Sequence, residues 1–219
     1  MAKVVIFGIG QIAEIAHFYL TEDSEHEVVA FTVDQEYLDN EVFHALPVVP
    51  YESIESLYPP SEYKLFIPIS YKKVNKLRAE KFADAKAKGY SCVSYISSKA
   101  TYYGTPVGEN CFIFENNVIQ PFTTIGDNCI LWSGNHFGHH SVIEDHCFIA
   151  SHVVISGSVT IGEYSFIGVN ATIRDNVVVG RENVIGAGSL ILADTEERAV
   201  FSPRETEKSK VPSNRLRGI

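Results

Sequence analysis

The sequence predicts an α/β unit of Rossmann-like βαβαβ pattern followed by an all-β parallel β-helix. Two observations predict it. From Val107 to Ile191 an apolar residue recurs at every sixth position with no break in phase. Ahead of that, apolar runs alternate with helical patterns, and a G-x-G-x-x-A turn follows the first run.

The repeat is the stronger signal. Val107, Ile113, Ile119, Ile125, Leu131, Phe137, Ile143, Ile149, Ile155, Ile161, Ile167, Ile173, Val179, Ile185 and Ile191 are all apolar. At 45% apolar content, chance gives that roughly once in 10⁵ tries before choice of register. Each hexad reads as one short strand and a bend, and three hexads close a triangular coil. β-Branched isoleucine suits the inward, pleated position. The next position is often glycine (Gly108, Gly126, Gly138, Gly162, Gly168, Gly180, Gly186), expected to permit a tight bend. The fifth position is small (Cys111, Thr123, Cys129, Ser141, Cys147, Ser165, Ala171, Ser189) and is expected to fill the narrowing corner. Positions three hexads apart then stack about 4.8 Å from each other. Cys111, Cys129 and Cys147 therefore form a buried column, with no redox or metal role.

In the first half, residues 3–8 read as a buried strand. Gly8-Ile9-Gly10-Gln11-Ile12-Ala13 follows as a turn into a helix ending near Leu20. Val28–Val33 reads as a second strand ending at Asp34, Lys64–Pro68 as a third and Cys92–Ile96 as a fourth. Val74–Lys88 reads as an amphipathic helix stopped by Gly89. The glycine turn lets backbone approach a phosphate at a helix N-terminus, and an acid after the second strand can meet a ribose. The plainer readings are a tight turn and a helix cap. A stretch of about 100 residues makes half a dinucleotide domain, which favours a mononucleotide-type ligand. The expected divisions are 1–100, 101–195 and a tail, 196–219.

Composition narrows the partners. The formal charge is −9 and no basic stripe concentrates, which argues against nucleic acid. No apolar run reaches about 18 residues, and the N-terminus lacks a signal peptide's cleavage region. No membrane partner and a cytoplasmic location are expected. None of the four cysteines lies in a CxxC pair. His140, His146 and His152 fall on different sides of the prism, so no metal site within one chain is expected.

Taken together, the FGIGQIA turn, Asp34 and the phased hexads with His139-His140 resemble the bacterial sugar acyltransferases typified by PglD and NeuD, over roughly residues 3–195. The resemblance implies a left-handed helix, a homotrimer, a nucleotide-linked amino sugar on the N-terminal unit, and acetyl-CoA as co-substrate between subunits. It implies N-acetylation of a 4-amino-4,6-dideoxy sugar in bacterial glycan or O-antigen (lipopolysaccharide) synthesis. O-acetylation of a sialic-acid-type sugar, or transfer of another acyl group, stays open, as do a non-catalytic scaffold and a metal protein.

Acyl transfer to an amine needs a group that takes the amine's proton, and neutral imidazole suits that near pH 7. His139 matches the family's general base. His140 stands where the family usually has an acid, and Phe148 where the type member has a histidine near acetyl-CoA. Gly157, three hexads past His139, is expected to offer its N–H to the thioester oxygen. Val169 and Ala187 match positions that touch CoA through backbone. Gly10, Gln11, Asp34 and Ser70 are the candidates for the sugar nucleotide. The basic segment Tyr71–Arg78 could meet a diphosphate or form a solvated helix face. Asn135 and His136 are expected to line the cleft, and Trp132 to make a subunit contact. In the family a short tail caps the helix and helps hold CoA, for which Arg204 and Lys208 are the candidates.

Overall fold

The computed structural model describes residues 1–204 and 206–215. The first half forms β1 (Lys3–Phe7), α1 (Gln11–Glu22), β2 (Glu27–Val33), β3 (Val42–Phe43), β4 (Leu46–Pro50), α2 (Ile54–Leu57), β5 (Tyr63–Phe66) and α3 (Lys76–Ala87). The sheet order is β3-β4-β2-β1-β5. All neighbours are parallel except the β3–β4 hairpin. The sequence pattern does not announce that hairpin. Its turn residues His44 and Ala45 hold φ 47° and 62°, where glycine or asparagine would have marked the turn. The expected fourth strand divides: Cys92 alone bridges Leu65, while Tyr95–Ile96 has already joined the prism beside Phe112–Ile113.

Beyond Tyr95 the hexads contribute two-residue strands whose second residue is the inward apolar one, except that Val107 makes only a single bridge to Ile125. Strands three hexads apart pair in parallel register, as Ile130–Leu131 does with Phe148–Ile149. Three flat faces result. The first runs from Tyr95–Ile96 to Val200–Phe201 in seven strands, the second from Thr101–Tyr102 to Leu190–Ile191 in six, and the third from Thr124–Ile125 to Val178–Val179 in four. The sequence pattern has the tail leave the repeat at Glu196. Instead Val200–Phe201 adds a rung to the first face. After that rung the chain is mostly exposed, and residues 205 and 216–219 lie outside the described residues.

The inward aliphatics are sealed, with Ile113, Leu131, Ile149, Ile167 and Ile185 at 0% exposure. Burial of each contributes about 2–3 kcal/mol, which a two-residue strand could not supply alone. Cys111, Cys129 and Cys147 are equally buried, free of disulfides. Their thiols face carbonyls of Gly126, Glu144 and Gly162.

The bends are not where the glycines that follow the inward residues are. Positive φ falls two positions later, at Asn110, Asn116, Asn128, His140, His146, His152, Asn170 and Asn176, and asparagine tolerates that region best after glycine. The repeat glycines serve close approach. A Cβ on Gly138 would stand 2.5 Å from the Gly157 nitrogen in the next coil.

The first face is docked against the α/β unit. Phe112, Ile130 and Phe148 project outward into a cluster with Ala13, Ala16 and Leu20 of α1 and with Phe31 and Phe66 of the sheet. Trp132 stacks on Phe114 at 4.5 Å and 9° and packs, half-buried, against this intrachain cluster. On the sheet's other side, Ile54, Phe82 and Ala85 pack against Val5, Ala30 and Leu65.

Polar groups lock the two halves together. Arg78 of α3 is fully buried and donates to the carbonyls of Asn128, His146 and Cys147 in the prism and of Ile69 and Ser70 after β5. Burial lowers its pKa to about 10, so it remains charged at neutral pH. At the end of α1, Asp23 accepts from the Tyr95 hydroxyl at 2.6 Å and the Ser98 N–H at 2.9 Å.

Two outcomes follow. Gly138→Ala should destabilise the fold by about 1–3 kcal/mol through overpacking. Gly10→Ala, whose Cβ would meet nothing within 4 Å, should leave the melting temperature nearly unchanged. Calorimetry of both variants checks this. Hydrogen bonds from Ser98 and Tyr95 hold the Asp23 carboxyl at about 2, below its ordinary 3.8. A depressed folded pKa gives stability that is present above the ordinary value and lost as pH falls toward the folded one. The wild-type Tm should therefore drop between pH 4 and 2 by more than that of Asp23→Asn.

Candidate active site

The edge between the second and third faces carries Pro121, His139, Gly157 and Asp175 on successive coils. His139 follows the Phe137–Gly138 step. Its N–H donates to Gln120 Oε1 at 2.9 Å and its carbonyl accepts from the Ser158 N–H at 2.8 Å. Its ring lies against the backbone of Gly157. A Cβ there would come within 2.8 Å of the ring Cε1 and 3.0 Å of Nε2. Glycine at 157 thus makes the seat on which the imidazole rests.

His140 lies within hydrogen-bond reach of the His139 ring. The two Nδ1 atoms are 3.1 Å apart, so one nitrogen carries the proton and the other accepts it. His140 sits at φ 60°, and its ring packs on Phe122 at 4.7 Å. Phe122 is itself at φ 67° and 69% exposed. Sequence reasoning misses Gln120 and Phe122. The available signal is an aromatic residue at a bend position that in five other hexads holds asparagine (Asn110, Asn116, Asn128, Asn170 and Asn176).

The remaining histidines disperse. His146 lies on the edge between the third and first faces, hydrogen-bonded to Asn128 at 2.9 Å, and burial lowers its pKa. His152 lies on the edge between the first and second faces. His136 points out from the second face, half-buried. Asn135, expected in the cleft, is buried inside the prism, where its side-chain oxygen accepts from the Val153 N–H at 2.7 Å. Among the described residues no three His, Cys, Asp or Glu side chains converge as metal ligands.

Val169 and Ala187 stack on neighbouring coils. A Cβ on the adjoining Gly168 would stand 2.6 Å from the Ala187 nitrogen. Both are exposed, on the His152 edge rather than the His139 edge. One chain therefore does not bring these two residues together with His139 and Gly157.

The sugar-nucleotide candidates gather at the carboxyl ends of the parallel strands. Gly8, at φ 105°, turns the chain out of β1. Gly10 caps α1 in open space, and Gln11 is exposed. Asp34 follows β2, and Ser70 lies beyond β5. β5 comes after β2 in sequence yet pairs on the opposite side of β1. That reversal opens the crevice where open α/β sheets bind ligands. Asp34 caps no helix through its side chain. It pairs with Lys81 at 2.6 Å, which leaves Oδ2 available.

A cavity of about 560 Å³ lies elsewhere, beside α3 over Asp127, Asp145, His146, Tyr164 and Glu182. Several of its charges are already satisfied, since Glu182 meets Lys76, Arg181 and Arg198. Chemistry and not volume selects the His139 edge.

Comparison with known proteins agrees with this architecture. Residues 105–139, 123–157 and 158–193 match the family described as bacterial transferase hexapeptide (six repeats). No curated protein matches in sequence. Among solved structures, the chain is similar to a His→Asn mutant of perosamine N-acetyltransferase from Caulobacter crescentus, solved with CoA and GDP-perosamine. The TM-score is 0.81 at 24% identity, over 91% of this chain and 93% of that one. It is also similar to the acetyltransferase domain of PglB from Neisseria gonorrhoeae, with TM-score 0.78 and 21% identity over 91% and 96%. WeeI from Acinetobacter baumannii gives TM-score 0.71 and 17% identity over the same shares. The chain has their fold, a left-handed β-helix behind an α/β unit. Among the described residues no helix is long and apolar enough to cross a membrane.

Gly157→Ala should push the His139 ring off its seat while the fold persists. The check is ¹⁵N imidazole NMR, in which the His139 and His140 resonances should move together and those of His146 should not.

Proposed function

We propose that the chain transfers the acetyl group of acetyl-CoA to the amine of a nucleotide-linked 4-amino-4,6-dideoxy sugar, in bacterial glycan or O-antigen synthesis. The observation that carries this reading is the exposed His139 imidazole, paired to His140 and seated on glycine at an edge of a hexapeptide prism. Support comes from the crevice at the ends of β1, β2 and β5, and from the CoA and GDP-perosamine bound by the Caulobacter protein.

In this reading His139 Nδ1–H donates to His140 Nδ1, which leaves Nε2 free to take a proton. The amine attacks the thioester carbonyl, Nε2 removes a proton from the ammonium of the tetrahedral intermediate, and the Gly157 N–H faces the oxyanion. Collapse of the intermediate expels the CoA thiolate, which is then protonated. Val169 and Ala187 hold the pantetheine arm. They stand five and eight hexads past His139, and so on another edge, which means that the site closes between neighbouring chains of a homotrimer. The substrates are metabolites of the cytoplasm, where the enzyme would work.

The test follows thiol release from acetyl-CoA with UDP-, GDP- and dTDP-linked amino sugars. Release with one of them, cut at least about 100-fold in His139→Asn, is the expected result. Release that survives the substitution removes His139 from the role. Reaction only with a hydroxyl acceptor such as sialic acid moves the assignment to O-acetylation.

A further inference from the structure

The segment joining β5 to α3 is strained, clamped and cationic. Lys73, Val74 and Asn75 hold φ 54°, 52° and 63° in succession. Left-handed backbone is unfavourable for L-residues, most of all for a β-branched one such as Val74. Such strain persists only where the surroundings over-determine it, and it clusters at functional sites.

Three anchors impose it. Tyr71 packs its ring on Phe148 and Phe166, at 5.0 and 4.9 Å. Asn75, fully buried, donates to the carbonyls of Tyr164 and Ser165 at 2.9 and 3.1 Å. Arg78 holds the carbonyls of Ile69 and Ser70 at 3.0 and 3.3 Å, and Asn75 Oδ1 at 3.3 Å. All its hydrogen-bond partners are neutral carbonyl oxygens.

What the clamp presents is the pair Lys72 and Lys73, both exposed. Six lysines lie between positions 72 and 88. Four of them pair with acids: Lys76 with Glu182, Lys81 with Asp34, Lys86 with Glu109 and Lys88 with Glu55. Among the described residues Lys72 and Lys73 pair with none. In a chain of net charge −9, this fixed turn therefore presents two adjacent cations that no carboxylate of the described residues neutralises, a local positive site open to an anion. The turn follows Ser70, beyond the carboxyl end of β5. That is one side of the crevice whose other side is the Gly8–Gly10 turn and the N-terminus of α1.

We propose that Lys72 and Lys73 form the diphosphate subsite of the sugar-nucleotide crevice, and that Arg78 and Asn75 are positioning residues that fix this turn. The proposal rests on the nucleotide-sugar reading above and names the residues that would recognise its pyrophosphate. Lysine is suited to a flexible polyphosphate as a point charge. With the turn already fixed, binding carries no further cost of ordering it.

Calorimetric titration of the full-length protein tests it, using UDP, GDP and dTDP beside UMP, GMP and dTMP. Lys72→Ala/Lys73→Ala should raise the Kd for the preferred diphosphate at least about 10-fold, with a much smaller change for the monophosphate. Its Tm should not change, because both side chains are exposed. The salt dependence of diphosphate binding should flatten by about two charges. Arg78→Lys should weaken diphosphate binding in the same direction, at a temperature where circular dichroism shows it folded, while the KM for acetyl-CoA is unaltered. Unchanged diphosphate affinity in the double lysine variant, with the wild type binding normally, overturns the subsite and leaves the proposed function standing. A wild type that binds no nucleoside diphosphate overturns both.

Discussion

Everything in this molecule depends on the hydrogen-bonded stacking of one coil on the next at an interval of three hexads. Each strand is only a pair of residues and has no stability of its own. It exists because its N–H and C=O groups meet those of the coils above and below and because its aliphatic side chain closes the column inside. A slip by a single position would turn the aliphatics outward. The same interval turns sequence into geometry. Positions three hexads apart share an edge, so His139 stands over Gly157 and Val169 over Ala187. Positions a single hexad apart never share one.

That regularity also explains why the α/β unit is held so firmly. The first face exposes Phe112, Ile130 and Phe148 in a row, an apolar strip that must be covered. The sheet and α1 cover it, and Arg78, Asn75 and Asp23 fasten the contact with hydrogen bonds to backbone that belongs to the prism. Asn110 adds another, accepting from the Ile67 N–H at 2.7 Å just past β5. The crevice at the strand ends is thereby held in place relative to the prism edges.

Much of this is legible in the sequence. The phase of the isoleucines implies the prism and the buried cysteine column, and the glycine turn with its flanking apolar runs implies the α/β unit. What is not legible has physical causes. The repeat glycines look like bend residues, but the bend is made by asparagine and histidine two positions on. The glycines answer to a neighbour in the next coil that no local pattern reveals. The hairpin at His44-Ala45 and the turn at Lys73–Asn75 place Ala45, Lys73 and Val74 at positive φ, which such residues rarely accept, and tertiary contacts hold them there. Asn135 looks like a cleft residue because it is near His139 in sequence, yet the inward phase of the fifth hexad position buries it. The partnership of His139 with His140 needs coordinates, since adjacency in sequence does not say that two imidazoles face each other.

The central claim is that catalysis joins the His139 edge of one chain to the Val169–Ala187 edge of the next. Subunit complementation tests it most directly. His139→Asn and Ala187→Trp change exposed side chains on different edges, and each variant alone should be nearly inactive. Unfolded, mixed and reassembled together, they should regain a substantial fraction of wild-type thiol release, because some mixed assemblies pair an intact His139 with an intact Ala187 across an interface. A mixture that stays as inactive as its parents, with mixed assemblies shown to form, would contradict a shared site and place the chemistry within one chain.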